Sequence, residues 1–90
     1  EVTVFAPDAV SVYFNIVSTP DNIEVKTAIE NELKDLIRRE AAPGTPILLT
    51  HIREAISVAA GEEDHELISP TEDIQFTANE IPVYGSVVWP

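Results

Sequence analysis

The sequence has no cysteine, which excludes thiolate catalysis, zinc ribbons, iron–sulfur ligation and disulfide cross-links while leaving the redox compartment open. Glycine is scarce. Gly44, Gly61 and Gly85 are the only three, each isolated beside a turn or strand signal, so no phosphate-cradling glycine loop can be built. Positive charge is short too: 5 Lys and Arg stand against 16 Asp and Glu, for a formal charge of −11. Such a field repels nucleic-acid phosphates and anionic lipid headgroups. The one adjacent basic pair, Arg38-Arg39, shares its stretch with Lys26, Lys34 and many carboxylates, which cannot line a phosphate-tracking groove. Long apolar runs are missing as well. Val2 to Ala6 and Ile47 to Leu49 fall far short of the roughly 20 residues of a membrane span. Neither a nucleic-acid nor a membrane partner is therefore expected. No charged stretch followed by an apolar run reads as a secretory signal, and the start at Glu1 rather than Met suggests a piece of a longer protein.

What is present is an ordinary globular composition, 44% hydrophobic and 23% charged over 90 residues. It predicts one folded domain over residues 1–90. The acid excess reads first as solubility and repulsion of wrong partners, and second as a surface for a basic partner.

Along the chain, Val10, Val12, Phe14 and Ile16 alternate with Ser11, Tyr13 and Asn15, the pattern of a half-buried strand. Pro7 separates it from a short strand or arm over Val2 to Ala6. Ser18 to Asn22 gathers capping residues ahead of Val25, Ile29, Leu33, Leu36 and Ile37 at helical spacing. Glu30 to Lys34 is a favourable i,i+4 pair on that helix, and Lys34 to Arg38 an unfavourable one. Arg38 and Arg39 complement the helix C-terminus before Pro43-Gly44 stops it, with the end at Ala41 or Ala42. A second helix is expected from His51 to Ala60, with Thr50 as N-cap and Gly61 as the C′ residue. Ile52, Ala55, Ile56 and Ala59 form its buried stripe, while Arg53 and Glu54 lie on its polar face. Ile47 to Leu49 could add a short strand. A further strand begins at Leu67-Ile68 and ends at Ser69-Pro70, and the last runs from Ile81 to Trp89 with Gly85 at a bulge or a close backbone approach. This order predicts an α+β fold of two layers, a three- to four-stranded, mainly antiparallel sheet with two helices packed on one face.

Catalytic and ligand-binding signals are weak. Glu62-Glu63-Asp64-His65-Glu66 is the densest group of potential ligands, but it lacks the alternating register of a calcium loop and reads as a solvated turn. His51 and His65 occur in no metalloprotease or triad signature. No catalytic residue, cofactor site, metal site or small-molecule substrate is expected. A metal-dependent hydrolase using the 62–66 run ranks last among the functions considered. The strand aromatics Phe5, Tyr13, Phe14, Tyr84 and Trp89 read as packing residues. Trp89 stands next to the last residue, where a neighbour would be needed to cover it.

Several stretches, taken in order, resemble the C-terminal part of phage baseplate J-like proteins of Mu-like and P2-like prophages. They are Val2 to Pro7, Glu24 to Arg39, Thr50 to Ile56, Gly61 to His65 and Glu80 to Gly85. The resemblance implies the distal domain of a longer structural protein in the wedge of a contractile tail baseplate. It implies no enzyme, and it places the protein in the virion, with assembly in the host cytoplasm. It transfers a packing role to Gly61, Pro82 and Gly85. It transfers no binding role. Other baseplate and tail proteins are then the expected partners, with self-association among the options, contacted through sheet edges or through the terminal Tyr84 and Trp89 region. The alternative, from another class, is an acidic adaptor or regulatory domain that captures a basic partner outside any virion.

Overall fold

The computed structural model describes residues 7–90; the arm expected over Val2 to Ala6 lies outside the described residues. The order is β1 (Asp8–Thr19), α1 (Ile23–Glu40), α2 (Leu49–Ser57), β2 (Asp64–Ser69) and β3 (Glu80–Val88).

β1 extends the expected alternation in both directions and occupies the centre of the sheet, in the order β2-β1-β3. Its inward residues Val12, Phe14, Ile16 and Ser18 are buried. α1 starts where the capping cluster predicts, with Asn22 Oδ1 accepting from the Val25 N–H at 2.9 Å. Val25, Ile29, Leu33, Leu36 and Ile37 form its buried stripe. Ile52, Ala55 and Ile56 of α2 join the same cluster, as do Ile47, Ala59 and Leu67. One core therefore lies between the helix layer and a single face of the sheet.

Several expectations change. The sheet is mixed rather than mainly antiparallel. β2 returns antiparallel along the end of β1, from Thr19↔Asp64 to Asn15↔Ser69, whereas β3 runs parallel to β1, from Asp8↔Glu80 to Asn15↔Val88. Residues 70–79 carry the chain back along the sheet instead of closing a hairpin, and the Asp8 N–H donates to the Asn79 carbonyl at 2.7 Å where β3 begins. β3 thus starts beside the start of β1, which dictates the parallel pairing. Ile47 makes only an isolated bridge to Ile74 and adds no strand to the sheet.

α2 begins at Leu49, not His51, and Thr50 does not cap it. The orphan Leu49 N–H instead donates to Asp73 Oδ1, 2.7 Å away and 24 positions along the chain. The helix also closes early, at Ser57; Gly61 lies beyond it in the following turn, at φ +85°. That left-handed conformation suits glycine. An added Cβ would also stand 3.1 Å from Val25 Cγ2.

The acidic run is not one solvated turn, because Asp64, His65 and Glu66 belong to β2. Finally, no Glu30–Lys34 pair forms among the described ion pairs; the i,i+4 pair of α1 is Asp35–Arg39 at 2.9 Å. Glu30 and Lys34 engage aromatic rings of β3 and the residue after it instead.

Candidate functional site

The expected interface residues, Tyr84 and Trp89, lie at the C-terminal end of the chain against α1. The helix repeat places Lys26, Glu30 and Lys34 in one row, four residues apart. Trp89 Nε1–H donates to Glu30 Oε2 at 2.8 Å. Lys26 Nζ stands 5.6 Å from the centre of the Trp89 ring and 2.7 Å from Asp21 Oδ1. Lys34 Nζ lies 5.4 Å from the centre of the Tyr84 ring. On its inner side Tyr84 stacks on Phe14, with centroids 6.5 Å apart and planes 27° apart. Both aromatics are half-buried. Together the five side chains make a ladder of cation–ring contacts and one charge-assisted hydrogen bond that ties the chain end to α1.

Burial and then the nearby Glu30 carboxylate raise the pKa of the Tyr84 phenol above its ordinary value of 10.0. The fold therefore favours the neutral phenol. Its contribution is fully present below pH 10.0 and is lost as the pH climbs through the raised folded value. Tyr84→Phe removes this loss. Urea unfolding of wild type and variant between pH 8 and about 11 is expected to show a gap that is constant at the lower end and shifts in favour of the variant above pH 10. Parallel pH profiles would show that Tyr84 titrates alike in both states.

The other predicted groups are dispersed. Glu62 and His65 face each other at 2.7 Å, both with little side-chain exposure. Asp64 accepts from the backbone N–H of His65 at 2.9 Å, and Glu63 and Glu66 are exposed. No three His, Cys, Asp or Glu side chains gather into a metal-holding group among the described residues. His51 keeps a partly exposed ring and places Nδ1 2.9 Å from Glu40 Oε2, joining the start of α2 to the end of α1. The surface of the described residues has no pocket. No helix is long and apolar enough to cross a membrane among them.

The packing roles assigned to three residues take definite form. Pro82 is fully buried, Gly61 makes its positive-φ turn, and Gly85 is the extra residue where the β1–β3 register shifts between Val12 and Tyr13. Sequence reading missed Lys26, Glu30 and Lys34 as partners of the aromatics. Their four-residue spacing was visible, but only the fold shows which rings lie opposite.

A family model for the baseplate J-like protein C-terminal domain matches residues 10–90. The chain is 38% identical over 89 residues to the protein JayE of Escherichia coli strain K12, covering 99% of this chain and 34% of JayE. It is 33% identical over 89 residues to the Mu-like prophage FluMu protein gp47 of Haemophilus influenzae, covering 99% of this chain and 25% of that protein. Baseplate protein gp47 of Escherichia phage Mu is 33% identical over 88 residues, 98% of this chain and 24% of gp47. The chain thus spans about a quarter to a third of the length of these relatives.

Proposed function

The chain belongs to the family of baseplate J-like protein C-terminal domains, and from that premise we propose that it is a structural module of a contractile phage or prophage tail baseplate. It is the C-terminal domain of a longer baseplate protein and works by protein–protein contact, without catalysis. The observation that carries this reading is the family match over residues 10–90, beside 33% identity over 88 residues to a phage protein named for the baseplate. The absence of a pocket among the described residues is compatible with it.

Its partners are other baseplate and tail proteins, with self-association among the contacts to be tested. It resides at the tail tip of the virion after assembly in the host cytoplasm. The Tyr84 and Trp89 end is one proposed contact. Both rings keep part of their surface in solvent while α1 holds them in place, so they would meet a neighbour already ordered.

Immunogold electron microscopy of induced lysates, with antibody raised against this domain, tests the reading. Gold is expected at the tail tip, and Trp89→Ala is expected to lower the yield of gold-labelled particles. Unlabelled tail tips on abundant particles would overturn the baseplate role and favour the acidic adaptor, whose binding would fall steeply with salt. Labelled particles at normal yield with Trp89→Ala would overturn the Trp89 contact alone.

A further inference from the structure

Both helices cover the same face of the sheet, and the opposite face has no layer over it among the described residues. Alternation along β1 sends Tyr13, Asn15 and Val17 to that side. The register sets Ser86 beside Tyr13, Val88 beside Asn15, and Glu66 beside Val17. Ile68 of β2 completes the group. Tyr13 is 62% exposed, Val88 53%, Ile68 40% and Val17 38%, making four of the six exposed large hydrophobics among the described residues. They adjoin across three strands and form one apolar patch. Apolar side chains collected on a sheet face mark an interaction surface more strongly than the same number scattered singly.

Two further observations say what fits there. All five basic residues stand on helices: Lys26, Lys34, Arg38 and Arg39 on α1, and Arg53 on α2. The strands have none, and Asp64 and Glu66 edge the patch along β2, both exposed. The face carries its four apolar side chains around Asn15 and is acidic along one side. A second copy would bring another carboxylate edge and another −11 of charge toward it, and a nucleic acid would meet the same repulsion. Asn15, in the middle of the patch, holds a buried Oδ1 that has no hydrogen-bond partner among the described residues. Such an acceptor is costly to leave unpaired; it is shut off from solvent, so a docked chain would pair with it only after the amide rotates outward. The Tyr13 ring is also braced, because it lies over the position where Gly85 has no side chain. An aromatic held in this way is a good anchor for a contact.

We propose that this uncovered sheet face is a docking surface for a different protein chain, one presenting an apolar patch edged by lysine or arginine that meets Asp64 and Glu66. The face is separate from the Tyr84 and Trp89 end, and the proposal does not require the baseplate reading.

The test places a photo-crosslinking residue, Tyr13→p-benzoylphenylalanine, in the full-length parent protein in its host, with Ser57→p-benzoylphenylalanine on exposed α2 as control. Adducts are mapped by mass spectrometry in cells with and without particles. The expected result is an adduct from position 13 to another protein, at an apolar segment flanked by Lys or Arg. Glu66→Lys should lower its yield about two- to fivefold, the range of one exposed ion pair, without shifting the melting temperature. An adduct to a second copy, to nucleic acid or lipid, or to another part of its own chain would overturn the proposal, as would equal yields from positions 13 and 57. A mapped adduct with a basic-edged protein in cells lacking particles would support the docking face while counting against the baseplate role. Position-57-like yields at position 13 in labelled particles would do the reverse.

Discussion

Phe14→Ala is expected to remove about 3–5 kcal/mol of folding stability, a large share of the roughly 5–15 kcal/mol typical of a native domain. Phe14 is the large aromatic of the central strand, 1% exposed, paired with Val87 across the parallel ladder and stacked on Tyr84. Its removal would open a cavity between the sheet and the helix layer and also strip the inner support from Tyr84. Cost therefore arises from lost burial, from the unfilled space and from loosening of the ring that Lys34 covers. Urea unfolding followed by Trp89 fluorescence gives the measurement, since Trp89 is the single tryptophan. Phe14→Leu should lose far less, under about 1.5 kcal/mol, because it keeps most of the volume. A loss below about 1 kcal/mol for the alanine variant, the size of an average substitution, would mean that this ring is not a central packing element.

Gly85→Ala should destabilise by about 1–3 kcal/mol, even though alanine normally favours a strand over glycine. An added Cβ would stand 2.8 Å from the Val12 carbonyl oxygen and 2.8 and 2.9 Å from two carbons of the Tyr13 ring. The backbone contact is the harder one to relieve, because moving Val12 disturbs the pairing of β1 with β3. A double-mutant cycle separates the two. Tyr13→Ala removes the ring, so Gly85→Ala in that background should cost less than alone but still be destabilising. Equal costs in both backgrounds would assign the whole effect to the backbone. Restored stability in the Tyr13→Ala background would assign it to the ring.

Much of this fold is legible locally. The alternation from Val10 to Ile16, the stripe from Val25 to Ile37 and the capping cluster from Ser18 to Asn22 each follow from spacing over a few residues, and each element forms where that spacing predicts, the structure selecting Asn22 within the cluster. Gly85 was readable for a similar reason, because a lone glycine inside an apolar strand marks a bulge or a close approach. The start of α2 was not readable. Thr50 looked like the cap because it is nearby and has a hydroxyl, but the acceptor used is Asp73, from a loop brought alongside by tertiary packing. The ladder on α1 shows the same division. Glu30 and Lys34 are good partners on an isolated helix, and they separate because Trp89 and Tyr84 offer each a better-placed partner.

The sequence by itself determined the two-layer α+β class, the helix layer and its buried stripe, the acidity that disfavours phosphate and membrane partners, and the family resemblance carried by the order of its parts. These depend on composition and on short-range periodicity, which survive without knowledge of what lies opposite. Only the tertiary structure decided the mixed sheet, the inward turn of Tyr84 and Trp89 onto α1, and the uncovered face around Tyr13 and Val88. Each depends on pairing between residues far apart in the chain. The period of two tells which side of its own strand Tyr13 occupies, but whether that side is covered depends on where both helices and β3 return, and the return of β3 beside the start of β1 is set by residues 70–79.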